Sequence, residues 1–151
     1  MLDIVSAENL PKADGIDAQV SASALKNFIV APNEAAARAG SKRNGALLYV
    51  PSYEFDDGVL VELARNGGAI LFAFSDVLHE RGFRRGILLS KMRLALAAAR
   101  KRKCGVVACT LAKSEQELRN ARELKSFMAV IGFVDVERKN AEELLEKLVS
   151  K

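Results

Sequence analysis

Three short stretches of this chain are apolar at nearly every position: Ala46-Leu-Leu-Tyr-Val50, Ala69-Ile-Leu-Phe-Ala-Phe74 and Gly105-Val-Val-Ala-Cys-Thr110. A strand with one face in water alternates polar and apolar residues, because successive side chains point to opposite faces. Runs without that alternation belong in strands covered on both faces, as in a parallel sheet packed with helices. Weaker β-rich segments precede them at Leu2–Val5, Ala18–Ser21 and Phe28–Val30, which makes six strands. Helical stretches lie between them at 33–39, 56–66 and 84–102, and two more follow at about 114–131 and 139–149. Asn33 and Asp56 suit N-caps, Gly40, Gly67 and Gly132 suit helix stops, and Ser114 with Glu117 reads as a capping box.

Repeated βα units joined by short glycine-bearing turns predict an α/β fold in one domain, residues 1–151. Six strands are fewer than the eight of a complete (β/α) barrel, so the layout is either a reduced barrel or an open sheet. No apolar run approaches the roughly 20 residues that span a bilayer. The start carries Asp3 and Glu8 and lacks a basic leader, so a soluble, cytoplasmic protein without a signal peptide is expected. Cys104 and Cys109 bracket a strand at an offset of five, which points them to opposite faces. They are read as buried free thiols.

Charge is unevenly spread. Residues 1–76 hold six Lys/Arg against ten Asp/Glu, and residues 77–151 hold seventeen against nine. Between His79 and Lys103, Arg81, Arg84, Arg85, Lys91, Arg93, Arg100, Lys101, Arg102 and Lys103 face a single acid, Glu80. Leu88, Met92, Leu96 and Ala99 fall at helical spacing as a core stripe, while Arg85, Arg93 and Arg100 share another face. Cations near a helix C-terminus complement its dipole, which explains one or two of them. A helix serving solubility alone normally intersperses Glu for i,i+4 pairing, and this one has none. A phosphate backbone neutralises such a set and releases counterions, so nucleic-acid binding is expected, through backbone and shape rather than an aromatic platform.

Catalytic signatures are missing from the sequence. His79 is the sole histidine and sits in a polar turn, His79-Glu80-Arg81-Gly82. Asp76 follows a strand in an active-site-like position, with no second carboxylate or histidine beside it. Asp56 and Asp57 read as helix-start charges. Neither phosphate-loop motif occurs, and Ser75 lacks the glycines of a nucleophile elbow. No catalytic and no metal-ligating residue is assigned.

Residues 69–133 resemble ribonuclease P component 3, the archaeal and eukaryotic protein subunit. The resemblance runs through Ala69-Ile-Leu-Phe-Ala-Phe74, Arg85 at the opening of a long helix and Val106-Val-Ala-Cys-Thr110. It continues through Arg119-Asn-Ala-Arg-Glu-Leu-Lys-Ser-Phe-Met-Ala-Val-Ile-Gly-Phe133 and on to Asn140-Ala-Glu-Glu-Leu-Leu145 in the place of the family's closing helix. Where the family tends to Ser-Ser-Ala, this chain has Cys109-Thr110-Leu111, and Ala121 stands where the family has proline. The resemblance implies a reduced or incomplete TIM-like barrel of PHP-like, metal-dependent phosphoesterase ancestry, with helices outside about six parallel strands. It implies a non-catalytic RNA-binding subunit that supports the catalytic RNA in removing the 5′ leader of precursor tRNA, Mg2+ being held by the RNA. The implied partners are that RNA, precursor tRNA and a small RRM-like protein subunit. Arg81 to Lys103 are the first candidates for phosphate contact, and Arg119 and Arg122, which match basic positions of the family, come second. Alternatives are a structural RNA-binding domain of another ribonucleoprotein, a small TIM-like phosphoesterase, and a basic face that docks an acidic protein.

Overall fold

The computed structural model of the chain describes residues 1–150. All six expected strands form: β1 (Leu2–Val5), β2 (Ala18–Ser21), β3 (Phe28–Val30), β4 (Leu47–Tyr49), β5 (Ala69–Ala73) and β6 (Gly105–Cys109). Every pairing is parallel. They make two sheets, β1-β2 and β3-β4-β5-β6, because β2 and β3 are not hydrogen-bonded, and no closed barrel results. β1 is tied instead to the far end of β6, where the Leu111 amide donates to the Ile4 carbonyl at 2.9 Å and the Ser6 amide to Ala112 at 2.9 Å.

The helices are α1 (Glu34–Ser41), α2 (Asp57–Arg65), α3 (Phe74–Leu78), α4 (Gly82–Lys101), α5 (Ala121–Ile131) and α6 (Asp135–Val149). Side-chain alternation along the strands divides the interior in two. Leu48, Ile70, Phe72 and Ala108 face a core completed by Leu60 and Leu63 of α2, Met92, Leu96 and Ala99 of α4, and Phe127 and Met128 of α5. The other face, with Leu47, Ala69, Leu71, Ala73, Val107 and Cys109, is covered by Leu145 and Leu148 of α6. The expected stripe on α4 is therefore the buried one, and Cys104 and Cys109 fall in the two different cores as free thiols. Among the described residues, no helix is long and apolar enough to cross a membrane.

Several boundaries differ from expectation for physical reasons. Asn33 caps α1 as its residue type predicts, its side chain accepting from the Ala36 amide at 2.9 Å. Gly40 does not stop that helix. It lies inside it, where a Cβ would stand 3.1 Å from Ile29 and 3.2 Å from Leu48, so glycine serves the close approach of α1 to the sheet. The stretch from Ser114 is not helix throughout. A 3-10 turn at Glu115–Glu117 gives way to extended Leu118, and the capping box forms at Asn120 and Glu123 instead. Gly132 ends α5 in the left-handed region at φ 108°, the C-cap conformation that favours glycine. α6 begins at Asp135, earlier than expected, with the Glu137 carboxylate accepting from the Val134 amide at 3.1 Å.

Candidate nucleic-acid interface

In open parallel sheets ligands gather beyond the carboxyl ends of the strands. Asp76, after β5, and Asp3, whose side chain meets Thr110 just past β6, are both engaged there. Asp76, in α3 immediately after β5, accepts from the Tyr49 hydroxyl at 2.7 Å and from the Tyr53 hydroxyl at 2.6 Å. The Tyr53 oxygen in turn accepts from the Ala73 amide at 3.0 Å. Burial, reinforced by the Asp76 carboxylate, pushes both phenols far above their ordinary titration range. Asp3 accepts from the Thr110 amide at 2.7 Å and its hydroxyl at 2.6 Å, and burial raises its carboxyl to about 6. Sequence reading finds Asp76 but not its tyrosines, which lie 27 and 23 positions away. Among the described residues, no group of three or more His, Cys, Asp or Glu side chains is arranged to hold a metal ion.

The cations of α4 divide into two sets, those bonded within the protein and those left open. Arg85 donates from Nε to the carbonyls of Val77 at 3.2 Å and Glu80 at 2.8 Å. Arg93 donates to the Val130 carbonyl at 3.1 Å. Arg100 takes both oxygens of Glu137, at 2.8 and 2.6 Å, and the Gly132 carbonyl at 3.1 Å. That pairing holds Glu137 below the usual carboxylate range. On the opposite flank Lys91 meets Glu54 at 3.1 Å and Arg102 meets Asp57 at 2.7 Å. These acids come from α2, the turn before it, and α6, so a scan along the α4 sequence could not find them. The shared face of Arg85, Arg93 and Arg100 is turned toward α3, α5 and α6, where its guanidinium groups act as ties.

Arg81, Arg84, Lys101 and Lys103 are exposed, with no carboxylate within ion-pair distance among the described residues. Arg84 lines a cleft of about 230 Å³ with Lys91, Ile87, Pro51 and Ser52, between α4 and the β4–α2 turn. On the other flank Arg85 and Arg122 border an apolar groove of about 410 Å³, floored by Phe74, Val77, Leu89 and Phe127. Arg122 also lines the adjoining basin of about 640 Å³ with Lys125 and Arg138, over Gly15, Ala121 and Ala129. Sequence reading misses Lys125, which stands three residues beyond Arg122 on the same face of α5, and Arg138, which α6 brings to the same basin. Arg119 is more inward: it donates to the carbonyls of Gln116 at 2.7 Å and Leu118 at 2.6 Å, and its guanidinium stands 6.0 Å from the Phe74 ring centre. The predicted residues thus lie on both flanks of α4, whose outer face is exposed and whose inner face is in the core. A scan against protein-family models and a search of curated proteins each find no match to this chain.

Proposed function

We propose that this chain is a protein subunit of ribonuclease P that binds RNA and leaves the cleavage of precursor tRNA to the catalytic RNA. The observation that carries the reading is the run of adjoining concave surfaces in which Arg85, Arg122, Lys125 and Arg138 converge from α4, α5 and α6. Cations brought together from three elements and only partly neutralised by acids favour a polyanion, whose neutralisation releases counterions. The resemblance of residues 69–133 supplies the particular assembly.

Topology supports the same reading. β3, β4, β5 and β6 are neighbours in chain order, as in a (β/α) barrel, with no reversal of strand order in that sheet. The ancestry we assign is a TIM-like phosphoesterase barrel, shortened and opened between β2 and β3. Asp76, at the end of β5, now meets hydroxyl groups of tyrosine. The protein's part is electrostatic and positional: it screens phosphate repulsion in the folded RNA and presents a surface for its partners, Mg2+ belonging to the RNA.

The test is reconstitution of leader removal from precursor tRNA with the cognate RNA and subunits, with and without this chain. Loss of RNA folding or cleavage at low Mg2+ when the chain is omitted is expected. In parallel, Arg122→Glu with Lys125→Glu lowers RNA affinity and reduces the salt slope by about one for each phosphate no longer neutralised. Unchanged cleavage without the chain, or RNA-free hydrolysis by the purified protein, would overturn the reading.

A further inference from the structure

Most of the chain's phenylalanines are packed into the interior, but Phe83, in the first turn of α4, is 84 % exposed. It stands between exposed Arg81 and Arg84, and it makes no ring contact with another aromatic residue. One helical turn on, Ile87 is partly exposed and lines the cleft that Arg84 and Lys91 border. An exposed ring beside two arginines, with Ile87 one turn on, offers a flat apolar face next to positive charge and suits a ligand with a flat face and negative charge.

An unpaired nucleotide has both. We infer that Phe83 is a stacking platform for an unpaired RNA base, with the adjoining phosphates drawn to Arg81 and Arg84, which are exposed and not ion-paired among the described residues. Base–aromatic stacking tolerates any sequence, because every base has a π face, and the arginines follow the backbone. Within a paired helix the bases are stacked on one another and their faces are closed to a side chain. The site therefore selects single-stranded or looped segments, whereas the basin of Arg122, Lys125 and Arg138 meets backbone charge irrespective of pairing. Leu94 is also well exposed, at 72 %, but lies eleven residues along the helix, about 16 Å away, and has no π face. It is outside the site.

This inference rests on the RNA-binding reading, and the experiment separates the two. The full chain is titrated with a single-stranded RNA oligonucleotide carrying 2-aminopurine and with an RNA duplex of equal charge, at several salt concentrations. For the unaltered protein both bind, and fluorescence of the single strand changes as the base stacks. Phe83→Leu weakens single-strand binding by about fivefold to a hundredfold, the range for removal of one stack, and abolishes the fluorescence change. Phe83→Trp restores both, and duplex affinity and salt slope stay as they were. Leu94→Ala has no effect. Equal single-strand affinity for Phe83 and Phe83→Leu overturns the stacking site while leaving RNA binding intact. So does an equal loss with Leu94→Ala, which marks the whole stripe as a protein-docking face. If the unaltered protein binds neither RNA, the functional reading falls and the platform with it.

Discussion

Asp3 in β1 and Thr110 at the end of β6 form a two-point lock, amide to Oδ1 at 2.7 Å and hydroxyl to Oδ2 at 2.6 Å. It joins the two sheets across 107 positions of sequence, next to the Leu111–Ile4 backbone bond. Burial raises the Asp3 carboxyl from 3.8 to about 6, against the hydrogen bonds from Thr110, which pull it down. The folded chain therefore binds this proton more tightly than the unfolded chain. Its contribution to stability is greatest below about pH 4, declines as pH rises toward 6 and is level above that. A shift of this size sets an upper limit of about 3 kcal/mol on the change. Asp57 and Glu137, held low by Arg102 and Arg100, act oppositely and lose their contribution in more acid solution. The difference between the unaltered chain and Asp3→Asn in urea unfolding from pH 4 to 7 isolates the Asp3 contribution. Parallel pH curves for the two proteins would rule it out.

Arg93 and Arg100 tie α4 to the end of α5 and the start of α6, so charge reversal on this face acts on stability. Arg100→Glu removes two charge-assisted bonds and a carbonyl bond and sets a second acid beside Glu137. The pair is partly exposed, which limits the loss to about 1–2 kcal/mol. Adding Glu137→Arg recovers part of it, but not the bond to the Gly132 carbonyl. Thermal unfolding of the two single variants and the double variant measures the coupling. Additive losses would show that the ion pair contributes nothing.

The strands are legible in the sequence because three of them are short runs apolar at consecutive positions and bounded by turn residues, which suits strands of a doubly covered sheet better than helices. α3 is not. It starts at Phe74, the last residue of the apolar run of β5, before the polar pair Ser75-Asp76, and at five residues it is too short to show a helical period. The start of α5 is ambiguous because Ser114 with Glu117 and Asn120 with Glu123 both fit the capping-box pattern. Within the site, residue type and spacing reveal the cations, but not which are already bonded. Glu54, Asp57 and Glu137 reach α4 from 37 to 45 positions away, and that neutralisation belongs to tertiary packing. The exposed Phe83 escapes notice because it stands one residue before the expected start of the helix at 84, whereas α4 begins at Gly82 and carries Phe83 in its first turn.

Gly105 opens β6 where α6 crosses the sheet. A Cβ there would stand 2.6 Å from Leu144 Cδ2 and 2.9 Å from the Gly68 carbonyl oxygen. The leucine can rotate away, but the backbone of the neighbouring segment cannot. Gly105→Ala is expected to destabilise the chain by about 1–3 kcal/mol. Leu144→Ala on top relieves the side-chain clash alone and so restores only part. Full recovery in the double variant, followed by urea unfolding, would mean that the strand spacing yields more easily than close packing implies.

Cys104 and Cys109 report separately on the two cores. Burial pushes the Cys104 thiol up to about 12 and the Cys109 thiol well above its ordinary range, so almost no reactive thiolate is present in the folded chain at about pH 8. Cys109 lies under α6, against the core that Leu145 and Leu148 complete, whereas Cys104 lies in the core of α2, α4 and α5. Leu145→Ala leaves a cavity beneath α6 and weakens its docking, at a cost of about 2–5 kcal/mol. In chains carrying one cysteine each, the other replaced by Ala, thiol labelling under native conditions should therefore be slow at both positions. Leu145→Ala should accelerate Cys109 more than Cys104, because α6 can lift without opening the opposite core. Equal acceleration at both would show that α6 and the sheet unfold as one unit.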